Sequence, residues 1–231
     1  MEVCVDSVRS AINAEIGGAK RIELCTDLLE GGVSPSVGLL KVVKRKVSLP
    51  VFVMIRPRGG DFFYSETEFE VMIEDCKQLI NAGADGIVFG ILDRHGKIDV
   101  KCCQYIIAFD MVPDQSVALE SLINIGCSRV LTSGARPTAV EGLHSIKNLV
   151  QQARERILIM PGGGINEDNL LEILKSTGAK EFHGSAKVWV PSQMQFKNTL
   201  VHIGTSMEEY GHMEASLEKI RRLTKIANVL S

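Results

Sequence analysis

One short phrase recurs along this chain and limits what it can become. Gly18-Ala19-Lys20-Arg21-Ile22, Gly83-Ala84-Asp85-Gly86-Ile87, Gly126-Cys127-Ser128-Arg129-Val130 and Gly178-Ala179-Lys180-Glu181-Phe182 each place a glycine just before a β-rich run. The glycine takes the left-handed position that ends a helix, and a strand starts two or three residues later. This is the helix-to-strand turn of a parallel α/β protein. The strands it predicts are Glu2–Val5, Arg21–Cys25, Val51–Arg56, Gly86–Leu92, Arg129–Ser133, Ile157–Met160 and Glu181–Ser185. Helix starts are predicted at Ser34-Pro35, at the capping-box spacings Ser65–Glu68 and Thr138–Glu141, and at Asn166, followed by Glu167 and Asp168. The expected architecture is a single domain over residues 1–231, an α/β chain folded as a TIM (β/α)8 barrel, which takes about 250 residues. A doubly wound sheet is the competitor, but no Gly-x-Gly-x-x-Gly follows the first strand.

The spacing holds an anomaly. Gly83 to Gly126 is 43 positions, against 65 for Gly18 to Gly83 and 52 for Gly126 to Gly178. Each interval should hold two strand–helix units. In the short one, Asp99–Tyr105 is read as a helix running straight into Ile106–Asp110 as a cramped strand. A crossover needs at least about 10–12 residues with its helix, so the fifth strand–helix unit reads as truncated.

Composition excludes several function classes. A formal net charge of -2 gives no basic footprint for nucleic acid. No apolar run approaches the roughly 18 residues of a membrane span. Met1–Asp6 alternates like a strand rather than opening as a signal peptide. A cytosolic protein with reduced thiols is expected, the nucleus being a second compartment. Cys4, Cys25, Cys76, Cys102, Cys103 and Cys127 contain no Cys-x-x-Cys, which removes zinc-ribbon and thioredoxin-type motifs.

In a barrel the outer face of each strand is covered by helices and must be apolar, so the other parity points inward. Val3 and Val5, Ile22 and Leu24, and Val51, Val53 and Ile55 are the outward sets. Glu2, Cys4, Glu23, Cys25, Met54, Arg56, Met160, Glu181 and His183 then point in. Buried charges persist when paired or functional. Cys4 and Cys25 are read at matching places on neighbouring strands, about 4.8 Å apart, and two inward thiolates form a soft site that selects Cu(I) over hard cations. Two buried cysteines in plain contact would satisfy the same pattern. Gly162, Gly163 and Gly164 after one strand, Gly184 and Ser185 after the next, and Ser133 resemble the loops with which barrels bind phosphate through backbone N–H groups. Tight turns would need the same glycines.

Taken together, Glu2-Val3-Cys4-Val5-Asp6, Arg21-Ile22-Glu23-Leu24-Cys25, Met54-Ile55-Arg56-Pro57-Arg58-Gly59-Gly60-Asp61-Phe62, Ala84–Gly90, Arg129–Gly134, Met160-Pro161-Gly162-Gly163-Gly164 and Glu181-Phe182-His183-Gly184-Ser185-Ala186 resemble the signatures of the CutC copper-homeostasis family. The resemblance implies a TIM barrel, a homo-oligomer such as a tetramer, a cytosolic or nuclear location, and copper handling with Cu(I) held by cysteines. Cys4 and Cys25 are the positions onto which that role is carried. This chain departs from the family where a strand resembling Thr-Phe-His-Arg-Ala-Phe-Asp is expected: Ala108-Phe109-Asp110 remain, but the preceding His-Arg and about a dozen residues are absent. If the barrel lacks that segment, it should stand open, with two unpaired edges.

Two functions follow. The first is a copper homeostasis protein that captures Cu(I) with Cys4 and Cys25 at the carboxyl end of the barrel. The second is a barrel enzyme acting on a small anionic or phosphorylated compound. There Glu2 or Glu23 would be general acid or base, with Arg56 and His183 in the mouth and the glycine loops on the anion.

Overall fold

The computed structural model describes residues 1–98, 109–198 and 210–230. Strands and helices alternate as the glycine phrase requires. β1 (Glu2–Val5), α1 (Val8–Ile16), β2 (Arg21–Leu24), α2 (Val37–Lys46), β3 (Val51–Ile55), α3 (Glu66–Asn81) and β4 (Gly86–Phe89) make the first half. α4 (Gln115–Asn124), β5 (Arg129–Thr132), α5 (Leu143–Ala153), β6 (Leu158–Pro161), α6 (Leu170–Thr177) and β7 (His183–Gly184) make the second. An antiparallel hairpin, β8 (Lys187–Pro191) with β9 (Gly211–Ala215), leads into the last helix, α7 (Leu217–Asn228).

The parallel strands fall into two groups. One sheet has the order β4-β3-β2-β1-β7, and β5 pairs separately with β6. Among the described residues no ladder joins β4 to β5, which is where the sequence interval is short. The expected strand at Ile106–Asp110 is corrected as far as it can be seen. Phe109 and Asp110 open a 3-10 turn, Phe109–Met111, and do not extend a sheet. Phe109 is buried in the main core and packs near β5 and α4. The expected helix Asp99–Tyr105, Ile106–Ala108 and the Cys102-Cys103 pair lie outside the described residues.

The outer faces behave as the parity argument requires. Val3, Val5, Ile22, Leu24, Val51 and Val53 are fully buried beneath the helices, together with Ala11, Leu40, Val43 and Ile146. Three helix starts are shifted: α5 begins at Leu143 after Gly142, past the expected Thr138–Glu141 box, where the Thr138 hydroxyl accepts from Glu141 N–H in a turn. α2 is capped by Ser36, whose hydroxyl accepts from Leu39 N–H, and not by Ser34. α6 begins after Asn169, while Asn166 closes a turn onto the amide of Asp168. Ser65 and Glu68 form the expected reciprocal capping box of α3. Among the described residues no helix is long and apolar enough to cross a membrane.

Candidate functional site

The inward face of the sheet carries charge in its first layer. Arg21 on β2 donates from Nε to Glu2 on β1 and from Nη2 to Glu181 Oε2 at 2.8 Å. Arg129 on β5 donates to the same Glu181 oxygen at 2.9 Å. The Arg21 guanidinium also lies 5.3 Å over the Phe52 ring. One layer higher, the strand register sets Cys4 opposite Glu23, and β7 brings His183 level with Glu2. His183 Nδ1 donates to Glu2 Oε1 at 2.8 Å, and Nε2 stands 3.4 Å from Glu23 Oε2. Ligand atoms of Cys4, Glu23 and His183 all lie within 4.8 Å of one another. All three residues are buried.

The electrostatics of the cluster follow from burial and pairing. Burial alone would raise Glu2, but the His183 contact and Arg21 behind it hold its carboxyl down to about 2. Burial raises Glu23 to about 7, opposed by His183 and Arg21 and assisted by the charge of Glu2. Burial would lower His183. Cys4, then Glu23 and Glu2, instead hold it well above the ordinary imidazole value. Two neighbouring carboxyls thus differ in kind: the one bonded to His183 and Arg21 is held down and orients the imidazole, while burial pushes the other up.

The expected pairing of Cys4 with Cys25 shifts by one pleat. Cys25 lies one residue past β2, beyond the Glu23 that faces Cys4. Its backbone N–H donates to the Val5 carbonyl, and its thiol sits 3.6 Å from the same oxygen. Burial, then the charges of Glu23 and Cys4, push the Cys25 thiol far up. Cys25 is not a member of the 4.8 Å group. Met54 is its sulfur neighbour: a Cβ on Gly32 would meet Met54 Sδ at 2.8 Å and Cys25 Cβ at 3.3 Å. Gly32 also has φ +92, so glycine serves there both for conformation and for close approach.

Above the cluster opens a cavity of about 230 Å³, lined by Cys4, Glu23, His183, Met54 and Arg56 with Phe62, Val88 and Leu131. Arg56, just past β3, is fixed in its wall. The hydroxyl of Ser34, displaced from its expected helix cap, accepts from Arg56 N–H at 3.0 Å. Nη1 donates to the carbonyls of Glu30 (2.8 Å) and Gly32 (2.9 Å), and Nη2 to that of Gly60 (2.7 Å). The guanidinium stacks 4.8 Å over Phe62.

Cys4, Glu23, Arg56 and His183 therefore line one mouth, with Glu2 behind His183. The expected anion loops are differently occupied. Ser133 N–H donates to Asp110 Oδ2 at 2.6 Å, Ala135 N–H donates to Oδ1 at 3.0 Å, and the Ser133 hydroxyl lies 3.0 Å from Oδ2. A carboxylate of the chain itself thus sits where Ser133 would hold an anion. Gly162 N–H donates to the Thr132 carbonyl, and the Gly163 carbonyl accepts from Ala139. A Cβ on Gly162 would stand 2.5 Å from Leu131 Cδ1, so this loop is tight packing between β5 and β6. Gly184 pairs with Val3, and Ser185 follows it. Sequence reasoning missed Asp110 and Arg129 as organisers. It also missed Phe62 and Tyr64, although an aromatic run after Arg-Pro-Arg was a visible signal.

Comparison with known proteins agrees with this layout. The sequence pattern of the CutC family matches residues 1–188. A Mus musculus relative named copper homeostasis protein cutC homolog is 52% identical, covering 98% of this chain and 89% of its own length. The Homo sapiens relative of the same name is 51% identical over 100% of this chain and 90% of its own. A CutC crystal structure from Streptococcus agalactiae superposes with a TM-score of 0.75 at 33% identity, over 80% of this chain and 97% of that one. A 2-keto-3-deoxy-6-phosphogluconate aldolase from Zymomonas mobilis, 14% identical with a TM-score of 0.55 over 100% of this chain and 91% of its own, shares the fold. From the motifs, the parallel barrel sheet and these relatives, the chain belongs to the CutC family.

Proposed function

We propose that this chain binds Cu(I) in the barrel mouth, with the Cys4 thiolate and the His183 imidazole as its first ligands. The observation that carries this reading is the convergence of Cys4, His183 and Glu23 within 4.8 Å in a buried wall of an open cavity. The donor set fits the ion. A thiolate and an imidazole suit soft, low-coordinate Cu(I), and the Met54 thioether lines the same cavity. Glu2 fixes the His183 ring from its Nδ1 side, as carboxylates do for histidines whose other nitrogen holds a metal. Cys25, one pleat away, enters as a reserve sulfur. The relatives named for copper homeostasis support the choice of metal. The same reading takes a second copy of the chain as partner and a reducing cytosol as the setting in which the thiols stay free.

Competition of the purified protein against a Cu(I)-specific chromophoric chelator tests this reading. The expected stoichiometry is about one Cu(I) per chain, set by one such cluster. Cys4→Ser and His183→Ala should each abolish it, while Cys25→Ser should keep the stoichiometry with weaker affinity. Unchanged binding in Cys4→Ser would reject the site.

A second reading, a barrel enzyme for a small anionic compound, is favoured by one observation. The ionised Glu2 orients an imidazole beside a thiol, the arrangement that activates cysteine nucleophiles.

A further inference from the structure

Among the described residues, three buried side-chain nitrogen or oxygen atoms complete no hydrogen bond: Glu23 Oε1, Arg56 Nε and Tyr64 Oη. They gather in one place. Glu23 and Arg56 line the mouth cavity, and Tyr64 lies beside Arg56, whose charge acts on the phenol without a completed hydrogen bond. Native proteins satisfy nearly all buried polar atoms, so two exceptions on residues lining a single cavity, with a third on Tyr64 behind Arg56, draw attention to this wall.

Arg56 is the strongest of the three. It is only 7% exposed, and among the described residues no carboxylate comes within ion-pair distance of it. Three backbone carbonyls hold the guanidinium still without cancelling its charge. A guanidinium has five N–H donors. Three are spent on those carbonyls and the buried Nε lies toward Tyr64, which leaves one Nη2 donor and the uncancelled charge for a ligand oxygen. A buried cation without a counter-charge is costly, and a bound anion relieves that cost. Apart from Cys4, Glu23 and His183, the wall facing the guanidinium is apolar, with Met54, Phe62, Val88 and Leu131. At about 230 Å³ the cavity lies below the usual range of drug-sized sites, about 300–1,000 Å³. It suits a small acid with a short carbon body. Gly162, Gly163 and Gly164 do not line this cavity, so their backbone N–H groups offer no phosphate cradle in it.

We propose that this cavity binds a small carboxylate, its charge held by Arg56 and its carbon end lodged against Met54 and Phe62, next to the Cys4 thiol. The subsite needs neither copper nor turnover. It names the ligand class that the enzyme reading would act on, and it stands or falls separately from both readings.

Alkylation of the full-length protein, cleared of copper with a chelator, tests it. The probes are iodoacetate, itself a small carboxylate, and neutral iodoacetamide. With either reagent the cysteine sulfur forms a bond to the CH2 carbon and iodide leaves. Peptide mass spectrometry follows Cys4, with the half-buried Cys76 on α3 as an internal reference. The iodoacetate-to-iodoacetamide rate ratio should be roughly tenfold higher at Cys4 than at Cys76, as a charge contact of about 1.4 kcal/mol gives. Butyrate should protect Cys4 and butyramide should not. Arg56→Gln should remove the preference, and the protection arm on the unaltered protein holds whether or not that variant folds. Equal ratios at the two cysteines, equal protection by butyrate and butyramide, protection by inorganic phosphate alone, or no reaction of Cys4 with either reagent would each overturn the proposal. Copper stoichiometry measured on the same preparation keeps a failure here distinct from a failure of the metal reading.

Discussion

At the scale of single residues, the two carboxyls flanking His183 pull stability in opposite directions with pH. Glu2 titrates in the folded protein at about 2, below its ordinary 4.5. Its contribution is present above pH 4.5 and is lost as pH falls toward 2. Glu23 titrates at about 7, above the same reference. Its contribution is full below pH 4.5 and is lost as pH rises through 7. Urea unfolding at pH 5 and pH 8 should therefore show a loss on the order of 1–3 kcal/mol that Glu23→Gln reduces. Equal losses in the two proteins would contradict the assignment of Glu23. The parity of these residues was legible in the sequence, because alternation alone decides which side chains point inward. Their register was not. Turn lengths between strands decide whether Cys4 faces Glu23 or Cys25, and alternation allows both.

At the scale of elements, the structure departs from the sequence reading where two candidate caps stand near one another. Ser34 and Ser36 can each cap a helix, and the tertiary contact of Ser34 with the Arg56 backbone leaves the cap to Ser36. Asn166 yields to Asn169 in the same way, through a turn of its own. The Ser65–Glu68 box has no competitor, and it was readable. Ser65→Ala should cost about 1 kcal/mol, measured by urea unfolding. The Phe109–Met111 turn carries a larger share. Asp110 accepts from the amides of Ser133 and Ala135, and the fully buried Thr132 hydroxyl bonds to it as well. Asp110→Ala strands these donors and should cost about 2–3 kcal/mol. A loss within 0.5 kcal/mol, the range of an ordinary surface change, would show that the turn does not hold the end of β5.

At the scale of the whole molecule, the short interval between Gly83 and Gly126 was the most informative number in the sequence, and one of the two seams between the strand groups, that between β4 and β5, falls there. Barrel class was legible because the helix-to-strand turn repeats. The 3-10 turn at Phe109 was not, because Ile106–Asp110 is as apolar as a strand and nothing local distinguishes the two. Hydrogen exchange checks the consequence. Amides of β4 and β5, at the margins of the two strand groups, should exchange faster than those of β1 and β2, which are paired on both sides or lie at the sheet's centre. Uniform protection across all the parallel strands would mean that the cylinder closes.

Among the described residues the strand groups part at two seams, between β4 and β5 and between β6 and β7, and the cavity beside the thiol reaches the first of them through Val88 and Leu131. Cys4, Glu23, Met54, Arg56 and His183 all ride on the five strands that remain laced together from β4 to β7, and none rides on the β5–β6 pair. Variation in the β5–β6 pair would therefore reshape one wall of the cavity through Leu131, while the thiol and the carboxyl across from it stay in register on β1 and β2.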